Sequence, residues 1–319
     1  AGGPEPTMTV VIDGGLATEL EARGHDLSDR LWSARLLLTE PATIEDVHLA
    51  YFRAGAQVAT TASYQATVPG FVAAGLSQRD AMVAIRRSVA LARAARDRAA
   101  EEAGVAPETL WVAGSVGPYG AMLADGSEYR GDYDPGPTVL RDLHAPRMEA
   151  LLEAGADLLA LETIPTAREA EVLVGLVEAL GARAWLSYQC RDGTSTAAGE
   201  PIEAAVAVAH GRAGIVAVGV NCTAPRHVPE LLDRIQHDEP ARPVIAYPNG
   251  GDRWDPAARR WVATDHPLPA GATEVVIAAA RSGVAWVGGC CGTTPTDIAA
   301  IAATLADTNE PAGREPAGS

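Results

Sequence analysis

The chain has 319 residues, 47% of them hydrophobic and 21% charged, enough material for one large core in an ordinary soluble protein. Its formal net charge of -16, with no lysine at all, argues against nucleic acid or an anionic membrane surface as a partner, because both are held by clustered basic side chains. No stretch approaches the roughly 18 uninterrupted apolar residues of a membrane helix, no basic region leads into an apolar core at the N-terminus, and four cysteines are too few for a disulfide-built secreted domain. A cytosolic protein with reduced thiols is expected.

In chain order, residues 1–8 are rich in Gly and Pro and read as a flexible segment. Eight short apolar runs follow: Thr9 to Asp13, Gln57 to Thr61, Trp111 to Ser115, Leu158 to Glu162, Ala184 to Tyr188, Ile215 to Asn221, Val244 to Pro248 and Ala285 to Gly289. Their length and their content of Val, Ile, Leu and Trp predict strands. Between them, Gln78 to Ala103, Ala167 to Leu180, Ile202 to His210, Val228 to Gln236 and Glu274 to Arg281 have the composition and length of helices. Residues 308–319 read as a second flexible tail.

Strand alternating with helix implies a parallel sheet. Four runs share one introduction: Arg53-Ala54-Gly55, Glu153-Ala154-Gly155, Arg212-Ala213-Gly214 and Arg281-Ser282-Gly283 precede the second, fourth, sixth and eighth. Each reads as the last turn of a helix closed by a left-handed glycine. Eight strands, an echo at the even ones and no break in composition favour a single α/β domain over residues 9–307, a (β/α)8 TIM-type barrel, over an open doubly wound sheet.

Barrel enzymes place their chemistry at the carboxyl ends of the strands. Here the first run closes on Asp13-Gly14-Gly15, the fourth on Glu162-Thr163, the fifth near Gln189-Cys190, the sixth on Asn221-Cys222, and the eighth on Gly288-Gly289-Cys290-Cys291-Gly292. All four cysteines and two carboxylates therefore fall on one rim. Thiolates are natural zinc ligands, but consecutive residues of a regular strand point to opposite faces. Cys290 and Cys291 could share an ion only from an irregular loop, which Gly288, Gly289 and Gly292 supply; otherwise they are small buried hydrophobes or a vicinal disulfide. A fourth thiol from Cys190 would instead close the site and make a zinc-stabilised, non-catalytic binding or regulatory barrel. A Schiff-base barrel enzyme is excluded by the lack of lysine. The seven histidines, His25, His48, His144, His210, His227, His237 and His266, show no metal-like spacing and are assigned no role.

From Ile12 to about Leu305 the chain resembles the homocysteine S-methyltransferases, in particular the short forms that use S-methylmethionine or S-adenosylmethionine. The resemblance is carried by Asp13-Gly14-Gly15-Leu16-Ala17-Thr18-Glu19-Leu20, Thr61-Ala62-Ser63-Tyr64-Gln65-Ala66 and Gly114-Ser115-Val116-Gly117-Pro118-Tyr119-Gly120. Glu162-Thr163, Gly219-Val220-Asn221-Cys222 and Gly288 to Pro295 complete it, the last two being the most specific.

The resemblance implies that Cys222, Cys290 and Cys291 ligate a catalytic Zn2+ whose fourth position takes the sulfur of L-homocysteine. It also implies that Asp13 and Glu162 hold the substrate ammonium and that amides around Gly14 and Gly15 receive its carboxylate. From the residues alone, Asp13 reads rather as a helix or turn cap and Glu162 as the partner of a barrel Arg or Lys. Ser63, Tyr119, Thr163 and Asn221 are further candidate substrate contacts. Tyr64, Tyr119, Tyr129 and Tyr133, the last two in the segment Gly126 to Tyr133, are candidates to face a cationic donor. Betaine-using relatives carry extra segments and folate-using ones belong to much larger chains, so S-methylmethionine is the first expected donor and S-adenosylmethionine the second. The oligomeric state is left open.

Overall fold

Eight short strands run parallel around one barrel: β1 (Val10–Val11), β2 (Val58–Thr60), β3 (Trp111–Val116), β4 (Leu158–Ile164), β5 (Ala184–Tyr188), β6 (Ile215–Asn221), β7 (Val244–Tyr247) and, after a hairpin of β8 (Arg253–Asp255) with β9 (Arg260–Val262), β10 (Trp286–Val287). The computed structural model describes residues 9–27, 32–251, 253–255, 260–262 and 271–309. Neighbours pair in the order β1, β10, β7, β6, β5, β4, β3, β2. The remaining seam, between β1 and β2, is closed by a parallel bridge from Ile12 to Val58, with Asp13 N donating to Val58 O at 3.0 Å and Gln57 N to Val11 O at 2.7 Å. The fold is the expected (β/α)8 barrel.

Alternation along the strands divides the core. Ile12, Val58, Ala113, Ala160, Trp185, Ile245 and Trp286 pack together inside the barrel. Val11, Val112, Leu161, Leu186, Val218, Val220 and Val287 face the helical shell. Trp185, fully buried, stands at the centre with its ring 5.8 Å from Trp286 and 6.2 Å from Tyr247. Filling the interior this way leaves room for chemistry only at the rim.

The helix expected over Gln78 to Ala103 has those bounds, begun by Ser77, whose side chain accepts from Asp80 N, and ended by left-handed Gly104. The helix expected to reach His210 is instead a short one, Ile202–Val206, followed by a 3-10 turn at Ala207–Ala209. Of the four repeated glycines, Gly55, Gly155 and Gly283 are left-handed. Gly214 is not; Gly211 takes that role, and a Cβ at Gly214 would sit 2.9 Å from Ala182 O. Close packing, not chain reversal, selects it. The expected N-terminal segment 1–8 lies outside the described residues, as does the expected tail except Thr308 and Asn309, which finish the helix Pro295–Asn309. His266 also lies outside them. No helix among the described residues is long and apolar enough to cross a membrane.

Candidate metal centre and substrate pocket

Two strand ends bring the thiols together. β6 finishes at Asn221, and Cys222 immediately adopts φ 46°, a left-handed conformation that residues with a β-carbon rarely hold. β10 finishes at Val287, so Cys290 and Cys291 lie on an irregular loop, as their adjacency demands. That loop is sewn to the exit of β7: Cys290 N donates to Pro248 O at 2.8 Å and Gly250 N to Cys291 O at 2.7 Å. Gly292, at φ 81°, turns the chain away again.

The Sγ atoms of Cys222, Cys290 and Cys291 all lie within 4.8 Å of one another, and no other such group of possible ligands occurs among the described residues. Cys222 and Cys291 Sγ are 3.9 Å apart. A tetrahedral ion with metal–sulfur bonds of about 2.3 Å spaces its sulfurs by roughly 3.8 Å, so this pair already has the spacing of two thiolates on one thiophilic metal and the third thiol stands beside them. Cys190 is not in the group. It is buried, its amide hydrogen-bonded to Thr223 Oγ1 at 3.0 Å, and burial pushes its thiol well up. The closed four-cysteine arrangement is therefore not formed, and the metal position faces a pocket.

That pocket is lined by the three cysteines, Gly14, Gly15, Ser115, Glu162, Thr163, Tyr64, Tyr129 and Tyr247, among others. Glu162 is its acidic group. Ser115 Oγ donates to its Oε1 and Tyr247 OH to its Oε2 at 3.1 Å. Burial pushes Glu162 up to about 7, against the pull of those two hydroxyls. Its partners are hydroxyls and not the basic residue that the sequence left open. Tyr247 OH also accepts from Trp185 Nε1 at 2.8 Å and lies 2.7 Å from Ser187 Oγ. Glu162 thus stands on the barrel's central tryptophan.

Asp13 is placed differently. Its carboxylate accepts from Thr60 N at 2.7 Å and Thr60 Oγ1 at 3.0 Å, tying β1 to β2 across the closing seam. Burial raises its pKa well above the ordinary value, opposed by the bonds from Thr60. It supports the Gly14-Gly15 turn from below and does not itself line the pocket. Gly15 N donates to Thr293 O at 3.1 Å, and Tyr51 OH donates to Gly15 O at 3.0 Å, which fixes the turn.

Asn221 is buried and locks the rim from behind. Ser63 is buried too, its hydroxyl donating to Ser115 O at 2.7 Å, so it props the strand that carries Ser115. Tyr119 lies outside the lining, with its ring 5.4 Å from Tyr133. Of the four tyrosines considered, Tyr64 and Tyr129 reach the pocket, and Tyr129 OH lies 3.9 Å from Cys222 Sγ. Thr60, Ser115 and Tyr247 were not singled out from the sequence. The available signal was positional, since Ser115 and Tyr247 each lie at or next to the end of a predicted strand, on the same rim as the thiols.

A barrel that gathers three thiols and a buried carboxylate around one pocket at its strand ends has the form of a metal-dependent enzyme. The sequence profile of the homocysteine S-methyltransferase family matches residues 10–305. The chain is 46% identical over 295 residues to the homocysteine S-methyltransferase of Escherichia coli, covering 92% of this chain and 94% of that protein. It is 43% identical over 301 residues to homocysteine S-methyltransferase YbgG of Bacillus subtilis, covering 92% and 93%. The crystal structure of the metallated form of the homocysteine methyltransferase MmuM from Escherichia coli superposes with a TM-score of 0.81 at 44% identity, over 93% of this chain and 96% of that one. The chain belongs to the homocysteine S-methyltransferase family and is a methyltransferase.

Proposed function

We propose that the protein transfers a methyl group from a sulfonium donor to the thiol of L-homocysteine, forming methionine, with zinc held by Cys222, Cys290 and Cys291. The observation that carries this reading is the convergence of three thiols from two strand ends beside a pocket that holds a buried carboxylate. Only a few per cent of a free thiol, with pKa of about 8.5, is thiolate at neutral pH. When bound, zinc on three thiolates would offer its open position to the homocysteine sulfur and lower that sulfur's pKa, supplying the nucleophile.

The chain's own residues do the rest. Glu162, aimed by Ser115 and Tyr247, accepts hydrogen bonds from the substrate ammonium. Asp13 fixes the turn at Gly14 and Gly15, and the substrate carboxylate is received by amides around that turn other than Gly15 N, which Thr293 already holds. Thr163 and Asn221 set the rim between Glu162 and Cys222. Tyr64 and Tyr129 present aromatic faces to a cationic methyl donor and keep water out of its path. A sulfonium leaves as a neutral thioether and needs no acid, in keeping with a pocket that contains hydroxyls and one carboxylate but no lysine.

S-methylmethionine is the first donor in this reading and S-adenosylmethionine the second. Four free thiols agree with a reducing, cytosolic setting. The test is metal stoichiometry together with methionine formation from homocysteine, with S-methylmethionine, S-adenosylmethionine and betaine offered in parallel under reducing conditions. One zinc per chain with turnover on a sulfonium is expected. A metal-loaded protein inert toward all three would overturn the reading.

A further inference from the structure

One carboxylate outside the pocket holds both ends of the loop that walls it. Glu169, in the helix Ala167–Ala179 after β4, is 1% exposed. Its Oε1 accepts from Tyr119 N at 2.6 Å and lies 2.7 Å from His144 Nε2, and its Oε2 accepts from Tyr133 OH at 2.6 Å. Tyr119 and Tyr133 bracket the loop that follows β3. Within it, Gly120 packs so closely that a Cβ there would lie 2.6 Å from both Glu128 N and the Tyr133 ring. The loop is thus folded tightly on itself, and the residue it delivers to the pocket is Tyr129, with its hydroxyl 3.9 Å from Cys222 Sγ.

The chain of contacts continues inward. Arg147, also 1% exposed, donates from Nη2 to His144 Nδ1 at 2.7 Å and to Gly117 O, and from Nη1 to Tyr64 O at 3.4 Å. His144 therefore accepts at Nδ1 and donates at Nε2, the pattern of a neutral ring, and its burial lowers its pKa to about 4. A buried cation and a buried anion are joined through one uncharged imidazole. Such chains are costly to desolvate and seldom add stability over apolar packing. What this one fixes is specific: the segments that carry Tyr64 and Tyr129, the two tyrosines of the four considered that line the pocket with the thiols.

We propose that Glu169, acting with His144 and Arg147, is a positioning residue for the methyl-donor side of the pocket, holding Tyr64 and Tyr129 in place, and so governs donor capture and not metal or homocysteine binding. This rests on the methyltransferase reading given above.

Tyr133→Phe removes one hydroxyl from Glu169 and leaves the packing, while Glu169→Gln removes the charge. With zinc-loaded enzyme, homocysteine and S-methylmethionine, each raises the donor KM roughly tenfold or more, with the homocysteine KM and zinc per chain unchanged. Tyr133→Phe combined with Tyr129→Phe loses no more than the larger single loss, because both act through the same phenol. Additive losses, an equal rise in both KM values, or unchanged kinetics in the two variants would overturn the proposal. A second readout does not depend on turnover. In the cobalt-substituted protein, Tyr129→Phe shifts the cobalt–thiolate absorption and Tyr133→Phe reproduces that shift; a Tyr133→Phe spectrum identical to wild type counts against the proposal. If the wild-type protein turns over no sulfonium, the methyltransferase reading fails, and the spectra still decide whether Glu169 and its partners position Tyr129.

Discussion

Thr163 and Asn221 exchange two hydrogen bonds across the rim: Asn221 Oδ1 accepts from Thr163 N at 2.6 Å, and Asn221 Nδ2 donates to Thr163 Oγ1 at 2.8 Å. Ser187 Oγ, on the strand between them, donates to the same Oδ1 at 2.8 Å. Thr163, at φ 60°, and Cys222, at φ 46°, are both left-handed, so the Asn221 side chain anchors one strained residue beside Glu162 and immediately precedes another, the proposed metal ligand Cys222. Such strain persists only where the surroundings over-determine it.

Asn221→Ala leaves the buried Thr163 amide without its acceptor, which costs about 1–3 kcal/mol. It also frees the turn at Cys222, and loss of an outer partner of this kind lowers metal affinity roughly 10- to 100-fold. Denaturant unfolding and a chelator competition measure the two effects. Wild-type metal affinity in this variant would show that Cys222 is held some other way.

The two kinds of cysteine separate cleanly. Cys222→Ala removes one of three donors and is expected to abolish both zinc retention and methyl transfer, whereas Cys190→Ser keeps one zinc per chain and most of the activity. Metal analysis after gel filtration, with a methionine assay on the same fractions, distinguishes them. Turnover by Cys222→Ala would sink the mechanism.

Tyr247→Phe takes from Glu162 one of its two hydroxyl partners and from Trp185 its acceptor. The homocysteine KM rises roughly tenfold, matching the loss of one hydrogen bond to a charged group, with a much smaller change in zinc content. A rise in the donor KM alone would contradict the assignment of Glu162 to homocysteine.

Two buried histidines make stability fall in mild acid. Burial lowers His48 and His144 to about 4 in the fold, against about 6.5 unfolded. Between those values the unfolded chain binds more protons. Their contribution is therefore complete above pH 6.5 and declines as the pH falls toward 4, by about 1.4 kcal/mol per pH unit for each. Neither ring nitrogen of His48 has a hydrogen-bond partner among the described residues, so His48→Leu is expected to cost little at pH 7 and to reduce the slope. Unfolding curves at pH 7 and pH 5 give both numbers. An unaltered slope would place the proton uptake elsewhere.

Gly219, in the middle of β6, has no room for a side chain, since a Cβ there would overlap Ile245 O on β7. Gly219→Ala must push β6, the strand that leads to Cys222, from β7, whose exit is bonded to the Cys290–Cys291 loop, and is expected to lose several kcal/mol of stability, at or above the usual range for overpacking. Thermal unfolding checks this, and a melting temperature within 2 °C of wild type, roughly the shift from less than 1 kcal/mol, would mean the strands part without cost.

The eight strands and the thiol rim were legible because their signals are local: a short apolar run, a glycine after a helix, a cysteine where a run stops. What escaped depends on partners distant in sequence. Asp13 reads as a cap or as a substrate contact until Thr60, 47 residues away, is seen to fill it. Ser115 lies within a family motif that does not say what its hydroxyl holds, Tyr247 lies in none, and both matter only because β3 and β7 bring their hydroxyls to Glu162. His144 looked idle because its partners are a glutamate 25 residues on and an arginine one helical turn on. The antiparallel hairpin of β8 and β9 was not anticipated, as it lies in a polar stretch with two tryptophans and no clear period.

β10, the strand that completes the barrel between β1 and β7, leads directly into Cys290 and Cys291. A growing chain that has already made Cys222 owns a single thiol of the set, and the other two arrive only with the strand that shuts the sheet. In the proposed reading, metal capture is thereby coupled to topological completion: a finished ring offers three thiols to the ion and an unfinished one offers a single thiol. Any lesion that keeps β10 from docking between its neighbours would leave a chain rich in correct secondary structure yet unable to retain its metal.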